Sequence, residues 1–143
     1  MLEEHIYKKF DEDVETIRAN VIQMGAIIEE QIRDAVQSLD EIDPMLAKKV
    51  ILRDKDVNAL ETSIEEDCSL FIAKRAPQAK DLRNVLMMLR MSNDLERMGD
   101  ESSKIAEATI RINENSRVSK PKIKSIKKIT DLVLMMLKKS LDA

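Results

Sequence analysis

Residues 10–39 read FDEDVETIRANVIQMGAIIEEQIRDAVQSL, and the fold follows from this stretch. Apolar side chains recur at Phe10, Val14, Ile17, Val21, Met24, Ile28, Ile32, Ala35 and Leu39. Steps of three and four place them on one stripe of a long helix, the pattern of coiled-coil-like packing. The stripe stops at Asp40-Glu41-Ile42-Asp43-Pro44. There Asp43 can cap a new helix, and proline suits a first helical position.

Downstream the pattern repeats. A second helix is expected from about Pro44 to Ala76, with a seam of Val50, Asp54, Val57, Glu61, Ile64, Cys68 and Phe71. Pro77 closes it, because the residue before a proline is pushed out of the helical region. A third runs from about Ala79 to Ile112, with a seam of Leu82, Leu86, Leu89, Asn93, Glu96, Asp100, Ser103, Glu107 and Ile110. Short connections make neighbouring helices antiparallel. The expected fold is all-α: an antiparallel three-helix bundle over residues 1–112, a polar linker over 113–120, and a fourth helix over 121–143. Shifting the first helix by 109 positions lays Ile17 on Ile126 and Ile28 on Leu137, so the fourth helix reads as the start of a second, truncated repeat.

Composition excludes several classes. With 2 Gly and 3 Pro among 143 residues, barrels and sandwiches lack their turns. Gly25 and Gly99 each stand alone, so no glycine-rich phosphate loop exists. No apolar run reaches the ~18 residues of a membrane span. A single cysteine, Cys68, allows no internal disulfide, and its seam position makes it core. A cytoplasmic location is the expectation. Charge is unevenly placed: the first 115 residues carry about −9 and the rest about +6. The basic segment from Arg117 to Lys139 reads as the solvated face of a repeat helix in preference to a contact for anionic lipid or nucleic acid. An aromatic content of 2% leaves little to stack on bases.

Polar residues in the seams carry the functional signal. In an antiparallel pair, residues at one level share a constant index sum. Asp54 with Asp100, Asn58 with Glu96, and Glu61 with Asn93 all sum to 154. The expectation is a set of matched acidic rungs between the second and third helices. Facing carboxylates repel unless neutralised by protons, by arginine (Arg53, Arg90 and Arg97 are at hand), or by a hard cation. Carboxylate and amide oxygens suit Mg²⁺, Ca²⁺, Mn²⁺ or iron. The candidate metal ligands are therefore Asp54, Asn58, Glu61, Glu96 and Asp100, with Asn93, Arg97 and Gly99 as support. A helix-interior glycine costs about 1 kcal/mol against alanine, so Gly99 points to close approach by a neighbouring helix or a ligand. His5, the only histidine, lies at the N-terminal end, which argues against di-iron bundles built on Glu-x-x-His pairs. No nucleophile–base pair is visible, so no enzyme is expected.

Three stretches resemble a known family. Arg75-Ala76-Pro77-Gln78-Ala79-Lys80-Asp81-Leu82-Arg83 is similar to the inter-helix turn of the PhoU family of phosphate-uptake regulators. Asn93-Asp94-Leu95-Glu96-Arg97-Met98-Gly99-Asp100 resembles that family's DLERIGD-type motif, and Asp54 to Glu61 its acidic second-helix motif. The resemblance covers about residues 8–112 as one repeat, with Lys120 onward resembling the opening of another. It implies an all-α bundle and E(D)xxxD motifs that hold iron or zinc clusters in some members. Glu96 to Asp100 matches that motif in full; Asp54 to Asn58 matches in part, since Asn58 brings an oxygen but no charge. The implied role is a regulatory adaptor and negative regulator, linking a phosphate ABC transporter's ATPase to a sensor histidine kinase. Dimerisation is expected, membrane association only through partners, and no nucleic acid. The competing reading from the residues is a carboxylate-bridged metal store or metalloenzyme bundle.

Overall fold

A computed structural model of the chain describes residues 2–115 and 124–142. Four helices follow in order: α1 (Leu2–Glu41), α2 (Pro44–Arg75), α3 (Ala79–Glu114) and α4 (Lys124–Asp142). α1, α2 and α3 pack mutually as an up-down-up bundle, and α4 lies against α1. At 40 residues, α1 is about 60 Å long. Much of the linker expected over 113–120, and the Pro121 start of the fourth helix, lie outside the described residues. α3 itself runs two residues past its expected end, to Glu114.

The turns form as the local chemistry dictates. The Asp43 side chain accepts hydrogen bonds from the backbone N–H of Met45 and Leu46, both at 3.1 Å, while Pro44 takes the first helical position. Two orphan amides at the head of α2 are thereby satisfied. α2 ends at Ala76 in the left-handed region, φ 42°, with its N–H on the Ile72 carbonyl.

The seams of α1 and α2 lie where the periodicity places them. Ile17, Val21, Met24, Ile28, Ile32, Ala35 and Leu39 are buried on α1; Val50, Val57, Ile64, Cys68 and Phe71 are buried on α2. The seam expected for α3 is rotated by about one residue. Its buried stripe is Val85, Met88, Ser92, Leu95, Gly99, Ser102, Ala106 and Thr109, whereas Leu86, Asn93 and Glu107 are exposed. Small and hydroxylated residues make up most of this stripe, and a reading of large apolar side chains passes over them. Burial costs these hydroxyls no hydrogen bonds: Ser92, Ser102 and Thr109 each donate to a carbonyl of the preceding turn.

The core changes character along its length. Near the α2–α3 turn it is bulky, with Phe10 and Phe71 rings 4.9 Å apart. Near the α1–α2 turn it narrows to Ala35, Ala47, Val50 and Ala106, beside a buried Ser38–Thr109 hydroxyl pair at 3.0 Å. Small side chains there let the three helices close together. The acidic residues of α2 and α3 lie between these two regions.

α4 runs antiparallel to α1. Its Leu141 sits over Gly25, where a Cβ would collide with the leucine side chain, and Lys127 pairs with Asp40 at 2.7 Å. α4 stands off from α3, leaving an apolar groove of about 710 Å³ that Met98, Ile105, Ile126 and Val133 help to line.

A candidate acidic site between the second and third helices

The α2–α3 turn sets the register, and the register sets the site. Asp54 of α2 and Asp100 of α3 lie close enough for each charge to be felt by the other, as their shared index sum requires. Glu96 is one turn before Asp100 on the same face and shares a hydrogen bond with it. Glu61 lies within the fields of Glu65, Asp100 and Glu96. Four expected acids, Asp54, Glu61, Glu96 and Asp100, are thus brought together, and all four are half-buried.

Gly99 explains how the helices approach so closely. A Cβ there would lie 3.0 Å from Asp54 Oδ1 and 3.0 Å from Ile28 Cδ1. Close approach by both neighbouring helices occupies the space a side chain would need. Asn58 and Asn93 are exposed, and among the described residues no hydrogen bond joins either side chain to the acids. The rotation of α3 accounts for Asn93, which turns to solvent.

The three candidate arginines do not neutralise the acids directly. Arg97 pairs with Asp94 on its own helix. Arg90 is exposed. Arg53 turns to α1, pairing with Asp34 at 2.6 Å and Glu30 at 3.5 Å. A residue that the sequence reading passed over links this arginine to the acidic site. Gln31 is fully buried. Its amide nitrogen donates to Asp54 Oδ1 at 3.4 Å, and its carbonyl oxygen accepts from Arg53 Nε at 3.3 Å. The signal was present: a glutamine between Ile28 and Ile32 sits on an otherwise apolar stripe. Glu65 was also missed, and Ser103 was expected in the seam but not as part of the site. Glu65 is one turn after Glu61, and the Ser103 hydroxyl, buried against the site, favours the ionised form of Asp54 without reaching full hydrogen-bond geometry.

The electrostatics follow. Burial, then the charge of Asp100, raises Asp54 above the usual carboxylate range, against the opposing help of Gln31 and Ser103. Burial, then Glu65 and Asp100, raises Glu61. Glu96 is pushed up to about 7 by burial, by its hydrogen bond to Asp100, and by the charges of Asp100, Glu61 and Asp54. Near neutral pH Glu96 is therefore protonated in a substantial share of the molecules, which relieves part of the repulsion.

The donor chemistry suits a hard cation, being all oxygen. The geometry is open: among the described residues no three His, Cys, Asp or Glu side chains converge closely enough to hold a metal ion. This arrangement does not match an iron or zinc cluster held by protein ligands alone. A cation here would keep water in most of its coordination shell. Elsewhere, burial pushes the Cys68 thiol up to about 11, followed by Asp67 and Glu65, so it is a poor nucleophile.

An antiparallel bundle of long helices, with a carboxylate face set by one tight turn, defines an all-α repeat protein of the PhoU type. The chain belongs to the PhoU domain family, whose model matches residues 21–109. It is 37% identical over 142 residues to the phosphate-specific transport system accessory protein PhoU of Escherichia coli K12, covering 99% of this chain and 58% of that protein. It is 36% identical over 114 residues to a PhoU homolog of the same description from a Burkholderia species, covering 80% of this chain and 48% of that one. The crystal structure of PhoU from Pseudomonas aeruginosa superposes with a TM-score of 0.88 at 35% identity, covering 94% of this chain and 64% of that chain. The phosphate transport system regulatory protein PhoU from Streptococcus pneumoniae superposes at 0.82 and 28% identity, with 94% and 62% covered. The chain spans about half the length of the curated relatives it matches.

Proposed function

We propose that this chain is a regulatory accessory of phosphate uptake, restraining a phosphate ABC transporter and the phosphate-starvation response that a sensor histidine kinase drives. The observation that carries this reading is family membership across the bundle, together with an acidic face between α2 and α3. An adaptor needs a stiff body with distinct faces rather than a catalytic centre. In support, the buried thiol has a raised pKa, and His5 is exposed in the first turns of α1. We place the protein in the cytoplasm as a homodimer; no described helix is long and apolar enough to cross a membrane, and the α3–α4 groove offers an apolar surface to a second copy. Its membrane partner would be the transporter's ATPase.

The test is direct binding and repression. The 143-residue protein is titrated against the transporter ATPase and the kinase's cytoplasmic region, and expressed in a strain lacking its own regulator. Micromolar or tighter binding to at least one partner, with restored repression of a phosphate-starvation reporter in high phosphate, is expected. Absence of both overturns the reading.

We further propose that Asp54, Glu61, Glu96 and Asp100 take a hydrated divalent cation, with Asn58 within reach of its outer shell. Bound charge would relieve the repulsion that now holds a proton on Glu96. The check is melting temperature with and without added Mn²⁺ or Mg²⁺ at pH 8, beside metal content of protein purified without chelator. Cation should raise the melting temperature of the wild type and leave an Asp54→Asn/Asp100→Asn variant unmoved. Equal shifts in both proteins would assign the effect elsewhere.

A further inference from the structure

α4 has two unlike sides. Leu134 and Leu137 are buried, and α1 is the helix they face. Helical spacing turns Lys128, Asp131, Leu132, Met135, Lys139 and Asp142 to the opposite side, and all six are exposed. Lys127 is committed to Asp40 and belongs to the seating on α1. Among the described residues no ion pair engages Lys128, Asp131, Lys139 or Asp142.

The order of these residues complements its own reverse. Two large apolar side chains, Leu132 at 54% exposure and Met135 at 48%, hold the middle, and charges flank them. Turned end for end about Met135, the face meets its copy with opposite signs. In an antiparallel pair of α4 helices, Lys128 with Asp142 and Asp131 with Lys139 share the index sum 270, twice the number of Met135. The same sum sets Leu132 beside Lys138, whose stem can lie along the leucine while its ammonium stays in water. At each end, two lysines and two aspartates then alternate. A parallel pairing would instead oppose Lys128 to Lys128 and Asp131 to Asp131.

We infer that the outward face of α4 is the seam of a symmetric antiparallel homodimer centred on Met135. An apolar centre within a charged rim is the anatomy of a protein–protein contact. Charges that complement their own reverse fit an isologous twofold and fix its register. An anionic bilayer or an acidic partner would meet Asp131 and Asp142 as like charges. Ile129 and Met136, exposed on the groove side of α4, border the seam. Among the described residues α4 packs on α1 alone, so pairing through its far side leaves each bundle outermost. One helix from each copy makes a small interface, and the dissociation constant is expected at roughly 10–100 µM. The inference rests on the homodimer reading above and gives that dimer its seam and register.

The test combines sedimentation equilibrium of the 143-residue protein with charge reversal and cross-linking. Asp131→Lys and Lys139→Asp each set like charges opposite one another at two symmetric points, and each should weaken the dimer about threefold or more. The double variant Asp131→Lys/Lys139→Asp exchanges the signs and should recover wild-type association. Under mild oxidation Met135→Cys, at the twofold, should form an intermolecular disulfide. Lys128→Cys should not, because its two copies lie about 21 Å apart along the seam. Cys68 is buried and does not compete. The substituted positions are all exposed, and circular dichroism melts confirm folding. Protein that stays monomeric up to about 500 µM overturns both the inference and the homodimer reading. A dimer indifferent to the charge reversals, or cross-linked equally through Met135→Cys and Lys128→Cys, leaves the homodimer standing and overturns this seam. So does a double variant that fails to recover what the single reversals lost.

Discussion

Glu96 is the residue at which several influences on a carboxyl group point the same way. Burial, a hydrogen bond to Asp100 and three neighbouring negative charges all favour its neutral form. The fold therefore favours a protonated Glu96, and the sign of the pH dependence follows. Its contribution to stability is complete below its ordinary pKa of 4.5 and is lost as pH rises through about 7. Asp54 and Glu61, raised in the same direction, add to this trend. The wild-type melting temperature should fall between pH 5 and pH 8 in metal-free buffer. Glu96→Gln cannot ionise and keeps a donor for Asp100. It should flatten the slope and exceed the wild type at pH 8 by about 0.5–1 kcal/mol, a small figure because solvent screens a half-exposed site. Parallel curves for the two proteins would remove Glu96 from this account.

Between elements, contact depends on the absence of side chains. Gly25 admits Leu141 of α4, and Gly99 admits Ile28 and Asp54. Gly25→Ala should therefore have two separable effects. Helix propensity favours the α1–α3 bundle by up to about 1 kcal/mol, while the new Cβ dislodges Leu141. Hydrogen exchange should show faster exchange in the last turns of α4 with the bundle's melt unchanged or raised. Adding Leu141→Ala should restore room for the alanine at position 25. Slower exchange in α4 of the single variant would contradict the packing. The same elements show what was legible in the sequence. α1 and α2 could be read from apolar spacing because their seams are large aliphatic residues. α3 could be read only approximately, since Ser92, Gly99, Ser102 and Thr109 face the core without apolar bulk. Of the three expected rungs, the Asp54–Asp100 level could be read because a short turn at Pro77 fixes which levels of α2 and α3 meet, whereas the rungs through Asn58 and Asn93 are not seen, both residues being exposed. Gln31 escaped that argument, for it reaches the site from α1, which an index sum between α2 and α3 does not include.

For the molecule as a whole, stability should be graded. α1, α2 and α3 share one mutual core, whereas among the described residues α4 packs on α1 alone. Native-state hydrogen exchange should find α4 opening at a lower free energy than the bundle, because local opening follows local burial. Ile28→Ala, at the crossing of all three bundle helices, should cost about 2–5 kcal/mol and lower the protection of α1, α2 and α3 together. Leu134→Ala should lower that of α4 first. If both variants changed protection uniformly, the four helices would form one cooperative unit.

The seat of Leu141 over Gly25 has a mechanical meaning. One helical turn away in either direction α1 presents Val21, Ile22, Ile28 or Glu29, each with a side chain where the glycine has none. The leucine cannot ride along α1 by a turn and find an equivalent place. The pair works as a detent: α4 is either in its notch or out of it, with no halfway position to rest in. A force applied to α4 along its axis would be met by stiffness up to a threshold and by release beyond it, so the helix would report a pull as a step and not as a slope.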